Sequence, residues 1–265
     1  MGRIGFIGTG AITEAVVTGL CTLPDPPSRI EVSPRNVVRA RALSEKFQRV
    51  SVAPDNQSVI NASDVVCLAI RPDIAPTLLR ELRFRKDQQI VSFIATLSID
   101  DVRTLVAPAT QVCRMVPLPA VANHLGPVAL CPPNQDIAAL FGGIGTLTQV
   151  SDETQLHALW AITSMMAPFF GLLKQMSEWL EERNIEPEQA RQYVASMIHA
   201  VSVTGKEVTN CDFGDLIAEH STPQGLNEQA LRELQSAGGC ALISKVLTLI
   251  EKRLNGKVDF DTGIQ

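Results

Sequence analysis

The first 23 residues carry the feature that most constrains the fold of this chain. An apolar, strand-like segment at 3–7 runs into a turn that contains Gly8 and Gly10, and an apolar helical pattern follows at 14–23. Gly8 permits a tight turn, Gly10 lets the backbone approach a ligand, and the free N–H groups at a helix start bind negative charge. This order predicts a sheet domain that holds the pyrophosphate of a dinucleotide. Thr13 stands where Gly or Ala is usual, and we expect it to loosen the packing of helix on strand.

The first half of the chain alternates between strand-like and helical patterns. Short apolar runs predict strands at 4–7, 30–32, 65–70, 90–94, 112–116, 128–130 and 147–150. Apolar residues at three- and four-residue spacing predict helices at 11–23, 36–47, 74–82, 100–106 and 137–141. This alternation is typical of a doubly wound α/β domain of the Rossmann type, in which helices cover both faces of a mostly parallel sheet.

The pattern changes at residue 152. Beyond it, helical periodicity predicts helices at 153–180, 187–208, 226–237 and 241–254, and the strand-like runs stop. We therefore predict an N-terminal dinucleotide-binding domain at 1–151 and an all-helical domain at 152–265. The long helices offer more apolar surface than a domain of this size covers by itself, which favours a homodimer built on them.

Composition limits the partners and the location. The chain has 265 residues with 23 Lys and Arg against 28 Asp and Glu, a net charge of −5. This balance argues against nucleic acid as a partner, because binding a phosphate backbone needs a clustered basic surface. We see no signal-peptide pattern and no uninterrupted apolar run of membrane-spanning length, so we expect a cytoplasmic protein without membrane contact.

The six cysteines are widely spaced, without a C-x-x-C pair or a histidine at metal-ligand spacing. We expect them to be reduced and mostly buried, and we expect no metal site.

The end of the second predicted strand indicates which dinucleotide is preferred. An acidic residue at this tip would bond the ribose 2′-hydroxyl and repel a 2′-phosphate. The tip carries Ser33, Arg35 and Asn36, and Glu31 lies within the strand, where its side chain should point away. A guanidinium forms two parallel bonds to phosphate, so the pattern favours NADP over NAD. The alternative for Arg35 is a solvated charge at a helix start.

Five stretches, in chain order, carry a resemblance to a known family. They are IGFIGTGAITEAVVTGL at 4–20, VCLAIRP at 66–72, IVSFIA at 90–95, RMVPLPA at 114–120 and STPQGLN at 221–227. They resemble the cofactor turn, the strand-end turns and the proline-glycine signature of the pyrroline-5-carboxylate reductase family. The resemblance runs from one end of the chain to the other.

The resemblance implies a cofactor domain, a helical domain that interlocks with a second copy, and hydride transfer from NADPH to a small cyclic imine. The departures from the family pattern fall near the expected nicotinamide and substrate. Leu118 replaces an Asn-Thr pair, 165–169 reads MMAPF in place of GSGPA, and Leu226 and Asn227 replace two threonines. We therefore expect a poor pyrroline-5-carboxylate reductase.

The candidate site residues fall into three groups. We expect cofactor contacts from Gly8, Thr9, Gly10, Ala11, Ile12, Ser33, Arg35, Asn36, Ala69, Ile70, Arg71 and Pro72. We expect substrate contacts from Ser221, Gln224, Gly225, Leu226 and Met166, and catalytic roles for Asn227, Thr222 and His220.

The reasons for the last two groups lie in the turn at 221–225. A helix start with hydroxyl and amide side chains suits a carboxylate, whereas the alternative is plain helix capping by Ser221 or Thr222. His220 is a candidate proton donor, and a surface histidine is the alternative. His124, in the loop after 112–116, is a weaker pocket candidate.

Two other functions stay open at this point. In the first, the chain reduces a different imine, a ketimine or a carbonyl compound, and methionine and leucine replace polar contacts in its substrate pocket. Alternatively, it is a non-catalytic sensor that binds NADP.

Overall fold

The computed structural model describes residues 2–207 and 212–264, and within them the chain forms two compact units. Unit 1 comprises Met1–Trp160 with Leu254–Lys257, and unit 2 comprises Ala161–Arg253 with Val258–Gln265.

Unit 1 is built on an eight-stranded sheet. Its strands are β1 (Arg3–Ile7), β2 (Arg29–Val32), β3 (Val50–Val52), β4 (Val65–Leu68), β5 (Gln89–Ser92), β6 (Gln111–Val116), β7 (Pro127–Cys131) and β8 (Thr146–Gln149). The spatial order is β3-β2-β1-β4-β5-β6-β7-β8. Every neighbouring pair is parallel except β6 and β7. Strands β2 and β3 are added on one side of β1, and β4 and the later strands on the other side. The order of the strands therefore reverses between β1 and β4, and this is where α/β sheets bind ligands.

Helices connect the strands of unit 1. They are α1 (Ala11–Cys21), α2 (Val37–Lys46), α3 (Asn56–Ala62), α4 (Ala75–Arg80), α5 (Ile99–Leu105), α6 (Gln135–Phe141) and α7 (Glu153–Thr163), with short 3-10 helices at Pro119–Asn123 and Gly142–Ile144. The last residues of α7 belong to unit 2.

Strand alternation divides the apolar residues between two cores. Ile4 and Phe6 of β1 join Cys67 of β4 in one core, together with α1 and α6. Ile7 and Leu68 join the opposite core, with α3, α4 and α5. Because successive side chains of a strand point to opposite faces, apolar runs of this kind bury a sheet on both sides. The doubly wound prediction is confirmed.

Within the described residues of unit 2, the regular secondary structure consists of helices. After the end of α7 come α8 (Met166–Glu181), α9 (Pro187–Glu207), α10 (Phe213–His220), α11 (Leu226–Ser236) and α12 (Gly239–Leu254). Helices α8 and α9 pack on each other. In contrast, α10, α11 and α12 bury none of their residues. Large apolar side chains such as Phe213, at 74% exposure, therefore lie open on this unit.

Some predicted elements differ from the observed ones. The sequence patterns missed β3, α3 and α10, which have three, seven and eight residues and are too short for a clear period. Polar side chains mark the starts of the two helices instead, since Asp55 is the N-cap of α3 and Asp212 is the N-cap of α10. The helix predicted at 153–180 is two helices, α7 and α8, and the predicted end at 208 lies outside the described residues.

The cysteines mostly agree with their prediction. Cys67, Cys113 and Cys131 are buried, Cys21 is half-buried, and Cys240 is exposed. The sixth, Cys211, lies outside the described residues. Burial raises the pKa values of Cys21 and Cys131 to about 11, so both thiols are protonated at neutral pH. A protonated thiol is a weak nucleophile, which agrees with a packing role for these two side chains.

One helical stretch of the described residues, Glu153–Glu181, is long and apolar enough by length and composition to cross a membrane. The stretch contains polar and charged residues such as His157 and Lys174, so it is not an uninterrupted apolar run. The finding is weak evidence for a membrane, because apolar helices that are covered by protein pass the same test. Ser164 and Met165 form a turn that separates its two helices.

Candidate active site

A cleft opens in unit 1 at the carboxyl ends of β1, β2 and β4, where the strand order reverses. Its volume is about 570 Å³. The residues that line it are Gly8, Thr9, Gly10, Arg35, Asn36, Val37, Val38, Ala69, Ile70, Arg71 and Ile74. The structure thus brings eight of the twelve predicted cofactor residues together on one cleft.

The glycine turn is fixed by its neighbours on both sides. Gly8 has a φ of +97°, and a Cβ atom at this position would overlap the carbonyl of Ala69. The Gly8 N–H donates to Ser33 Oγ at 2.9 Å, and Thr9 Oγ1 donates to the Ser33 carbonyl at 2.6 Å. Only glycine fits this conformation and this close approach. The turn is therefore built by the ends of β1, β2 and β4 together.

Ser33 does not have the position that we expected. Its side chain is fully buried beneath the turn, where it accepts the Gly8 N–H, and so it does not reach the cleft. The expected contact with a 2′-phosphate is corrected to a role in shaping the turn.

Thr13 also differs from expectation. Its hydroxyl donates to the Gly8 carbonyl at 2.6 Å, and its side chain is fully buried. The β-branched residue therefore closes the turn with a hydrogen bond instead of loosening it.

Gly10 leaves room for a ligand. A Cβ atom at Gly10 would meet nothing within 4 Å, and its φ of −91° is one that any residue adopts. The hydrogen-bond ladder of α1 begins with Glu14 N–H, which donates to the Gly10 carbonyl at 3.0 Å. The amides of Ala11 and Ile12 precede that bond, so they point out of the helix end, where an anion binds.

The tip of β2 offers the cleft one cation, Arg35, that has no ion-pair partner among residues 2–207 and 212–264. Arg35 is exposed and lines it, whereas the Asn36 side chain caps α2 by accepting the Arg39 N–H at 3.2 Å. Glu31 is buried and pairs with Arg29 at 2.5 Å, so no carboxylate of β2 reaches the tip. The local charge suits an anionic group beside Arg35.

The β4 side of the cleft is formed by the chain that leaves this strand. Ala69 and Ile70 line the cleft, and the exposed guanidinium of Arg71 pairs with Asp73 at 3.1 Å. Pro72 is half-buried and is not among the residues that line the cleft.

The candidate substrate turn lies in unit 2, between α10 and α11. Gly225 N–H donates to the Thr222 carbonyl at 2.8 Å, and Pro223 and Gln224 occupy the corner. A Cβ at Gly225 would overlap the Thr222 side chain, so glycine is required there. Gln224 has a φ of +61°, in the left-handed region that favours glycine. The corner residue of the turn is therefore in a glycine-like conformation although it is a glutamine.

The start of α11 has no side-chain cap. Gly225 is the N-cap residue, and neither Ser221 nor Thr222 accepts a bond from the helix start. The ladder of α11 begins with Gln229 N–H donating to the Gly225 carbonyl at 3.1 Å. Glu228, in the first turn, accepts the Gln224 N–H at 2.7 Å. Plain capping by Ser221 or Thr222 is therefore excluded, while one carboxylate of the protein already lies at this helix start.

A cavity of about 610 Å³ adjoins this turn within unit 2. His220, Ser221 and Asn227 line it together with apolar side chains of α9, α10 and α11. Asn227 Nδ2 donates to the His220 carbonyl at 2.9 Å, and His220 Nδ1 donates to the Leu216 carbonyl at 2.9 Å. The imidazole Nε2 is thus left as the atom able to accept or donate a proton toward a ligand.

Two further substrate candidates are exposed and lie apart from this cavity lining. Leu226 opens α11 with 85% exposure, and Met166 opens α8 with 41% exposure. Neither is among the residues that line the cavity.

His124 lines neither the cleft of unit 1 nor the cavity beside α10 and α11. Its Nε2 lies 2.9 Å from the Gly19 carbonyl and 3.0 Å from Thr22 Oγ1, at the C-terminal end of α1. This end of the helix is opposite to the cleft, so the histidine closes a helix end.

Sequence reasoning missed a buried polar cluster around Arg114. The guanidinium pairs with Glu153, lies 2.9 Å from His157 Nε2 and faces the Trp160 ring at 5.3 Å. The available signal was a charged residue in the middle of the apolar strand pattern VCRMV. Its partners lie about 40 residues away, so no local pattern identifies them.

These features define a class of protein. The cleft joins a glycine turn, the open start of α1 and a free arginine at the tip of β2, and it leaves room at Gly10 for a pyrophosphate. These residues fit a dinucleotide, so the fold and site are those of a dinucleotide-binding α/β protein.

Comparison with known proteins assigns the family. Residues 3–96 match the family described as NADP oxidoreductase, coenzyme F420-dependent, and residues 153–255 match pyrroline-5-carboxylate reductase dimerisation. The pyrroline-5-carboxylate reductase of Haemophilus influenzae is 29% identical over 76% of this chain and 77% of its own length.

Two solved structures share the fold. The pyrroline-5-carboxylate reductase of Coxiella burnetii has a TM-score of 0.85 and 22% identity, over 97% of this chain and 99% of its own. The Plasmodium falciparum pyrroline carboxylate reductase with NADP bound has a TM-score of 0.81 and 14% identity, over 97% and 98%. The chain belongs to the pyrroline-5-carboxylate reductase family and is an NAD(P)-dependent oxidoreductase.

Proposed function

We propose that this protein uses NADPH to reduce the C=N bond of a small imine. The observation that carries the proposal is the cleft of unit 1, in which an open helix start and a free Arg35 lie on either side of a glycine turn. This arrangement offers separate sites for a pyrophosphate and for a further phosphate.

NADP is favoured over NAD because of the charge at the β2 tip. Arg35 is free to form two bonds to a 2′-phosphate, and the one nearby carboxylate of β2, Glu31, is held by Arg29. The Plasmodium falciparum relative, whose structure has NADP bound, supports the same choice.

The substrate is a small imine held in unit 2 at the α10–α11 connection. The residues proposed to contact it are Ser221, Gln224, Gly225, Leu226 and Met166, with Asn227, Thr222 and His220 taking part in the reaction. The relatives are named for pyrroline-5-carboxylate, but this chain has Leu226 and Asn227 where the family pattern has threonines. A leucine offers no hydrogen bond, and a site that loses polar contacts discriminates against its former ligand. We therefore propose an imine that is more apolar than pyrroline-5-carboxylate.

Imine reduction needs a hydride, a proton for nitrogen and an anchor that orients the substrate. The bound nicotinamide supplies the hydride. The amides at the start of α11 form the anchor. His220 Nε2 is the proposed proton donor from the doubly protonated ring, in which Nδ1 keeps its own hydrogen on the Leu216 carbonyl and Nε2 carries the proton that passes to nitrogen. Such positioned groups supply much of the rate when the iminium forms readily.

A panel assay tests the proposal against its rivals. NADPH oxidation is followed at one enzyme concentration with pyrroline-5-carboxylate, with apolar cyclic imines, with open-chain ketimines and with the corresponding ketones. We expect turnover of an apolar imine at least tenfold faster than that of pyrroline-5-carboxylate. Turnover of ketones alone would favour a carbonyl reductase. NADPH binding without any turnover would favour a sensor.

A second copy of the chain is the proposed partner. The match of 153–255 to a dimerisation domain and the exposed apolar side chains of α10, α11 and α12 support a homodimer. Coverage by a second copy also explains the apolar stretch Glu153–Glu181 without a membrane, in agreement with a cytoplasmic enzyme.

A further inference from the structure

A fully buried arginine in unit 1 has no role in the site described so far. Arg114 lies in β6, and its side chain is 1% exposed. It pairs with Glu153 at the start of α7 and faces the Trp160 ring. Removing a guanidinium from water is costly, and an apolar pair of similar volume would join a strand to a helix at less cost. Packing alone therefore does not account for this ion pair.

The ion pair holds both ends of one loop. Arg114 Nη2 donates to the Ala95 carbonyl at 2.6 Å and to the Ile94 carbonyl at 3.4 Å. The carboxylate of Glu153 accepts the Ile99 N–H at 3.1 and 3.2 Å. The two charged residues bond each other as well, so the loop 94–99, between β5 and α5, is fastened at its first and last peptides.

His157 fixes the orientation of the guanidinium. Arginine N–H groups only donate, so His157 Nε2 accepts from Arg114 at 2.9 Å. His157 Nδ1 then carries the proton, which it donates to Asn255 Oδ1 at 2.9 Å. The guanidinium is thus held by His157 in addition to Glu153 and the two loop carbonyls.

The loop 94–99 leaves the sheet beside the cofactor cleft. Phe93 N–H donates to the Leu68 carbonyl at 3.0 Å, so the chain after β5 runs next to Ala69 and Ile70, which line the cleft. A dinucleotide lies across the point where strand order reverses. With its adenosine half at the tip of β2, the other half is directed toward the ends of β4 and β5.

We propose that Arg114 and Glu153 are positioning residues for the nicotinamide half of the cofactor, on which they act through the loop 94–99. The inference rests on the dinucleotide assignment of the proposed function. It assigns no contact between the ion pair and the cofactor itself.

The test compares two ligands that differ in the nicotinamide half. Dissociation constants are measured by calorimetry for NADPH and for adenosine 2′,5′-bisphosphate, which has the adenosine half alone. In Glu153→Gln, and in the double variant Arg114→Met with Glu153→Leu, we expect NADPH affinity to fall at least tenfold. We expect the affinity for the bisphosphate to stay within threefold of that of the unchanged protein. The double variant leaves no unpaired buried charge and therefore keeps the fold.

A matched control uses an exposed ion pair on the adjoining helix. Arg103 and Asp100 of α5 pair on the surface, so Arg103→Met with Asp100→Leu should leave both affinities unchanged. Arg114→Lys keeps the charge with fewer donors, and its NADPH affinity should lie between those of the unchanged protein and the double variant.

Three results would overturn the inference. In the first, both affinities fall together in the variants, which would make the ion pair a structural element of the whole site. In the second, neither affinity changes. In the third, the unchanged protein binds neither ligand, and the proposed cofactor function then fails with it. In the first two cases the proposed function stands.

Discussion

Gly8 and Gly10 are two residues apart in the sequence and have different roles. Gly8 is required by the protein itself, because its left-handed φ and the nearby Ala69 carbonyl leave no room for a side chain. Gly10 is required only if something else occupies the adjacent space, since a Cβ there meets no atom within 4 Å. This difference gives a mutation that separates binding from folding.

We expect Gly10→Val to abolish cofactor binding and to leave the fold intact. The added side chain would take the space of the pyrophosphate, whereas the backbone at Gly10 suits any residue. NADPH titration should give a dissociation constant raised at least about a hundredfold, a cost of about 2.7 kcal/mol. Circular dichroism should be unchanged. Gly8→Val is the contrasting variant and should lose stability, and NADPH binding by Gly10→Val at the original affinity would refute the cofactor assignment.

Arg35 should determine the choice between the two nicotinamide cofactors. We expect NADPH to bind at least about tenfold more tightly than NADH, or about 1.4 kcal/mol, and Arg35→Ala to remove most of this preference. Arg39 is a matched control, because its guanidinium pairs with Glu14 at 2.9 Å. Arg39→Ala should keep the preference. Equal affinities for both cofactors in the unchanged protein would contradict the assignment.

At the scale of elements, the connection between α10 and α11 has two notable features. One is a strained turn at Gln224, and the other is a hydrogen bond from Asn227. The corner residue of the turn, Gln224, adopts a φ of +61°, which costs a non-glycine residue of order 1 kcal/mol. Asn227 joins the start of α11 to the end of α10 through the His220 carbonyl. One feature affects stability and the other affects the geometry of the cavity.

Replacing Gln224 with glycine should stabilise the protein by about 0.5 to 1 kcal/mol. The gain is the relief of the left-handed conformation, reduced by the greater freedom of glycine in the unfolded chain. The melting temperature, measured at matched protein concentration, should rise by about 1 to 4 °C. The same change at Gln229, inside α11, should lower the stability by about 1 kcal/mol. A lower melting temperature for Gln224→Gly would show that the side chain is needed for another reason.

Asn227→Ala should reduce turnover of the preferred imine about tenfold or more. One hydrogen bond of order 1 to 2 kcal/mol is lost, either to the substrate or to the His220 carbonyl. The dissociation constant for NADPH should change little, because the cofactor cleft belongs to the other unit. Efficient reduction of pyrroline-5-carboxylate that is untouched by this substitution would contradict our interpretation of the departures from the family pattern.

At the scale of the whole molecule, the helical unit is incomplete as a single chain. Helices α10, α11 and α12 bury none of their residues, and apolar side chains such as Leu242 and Ile243 lie open on α12. A domain with so little buried surface has little to offset the entropy of folding. A second copy would supply the missing contacts.

Dilution should therefore not yield a stable folded monomer. Sedimentation at micromolar concentration should give a dimer, and the melting temperature should rise with protein concentration. Leu242→Glu should lower the melting temperature by several degrees if a second copy covers this side chain. In contrast, a change at an exposed surface site such as Arg41→Ala should lower the free energy of unfolding by no more than about 0.5 kcal/mol. A monodisperse, folded monomer would refute the homodimer.

The amino-acid sequence by itself determined the doubly wound sheet, the glycine turn and most of the residues that line the cleft. Each of these features leaves a local signal, because apolar periodicity marks the strands and helices and the placement of glycines marks the turn between them. Only the tertiary structure decided that Ser33 lies beneath the turn, that His124 closes the end of α1 and that Arg114 pairs with Glu153. In each case the partner is distant in sequence, by 25 residues for Gly8 and Ser33 and by 39 for Arg114 and Glu153, so its identity depends on how the strands and helices pack.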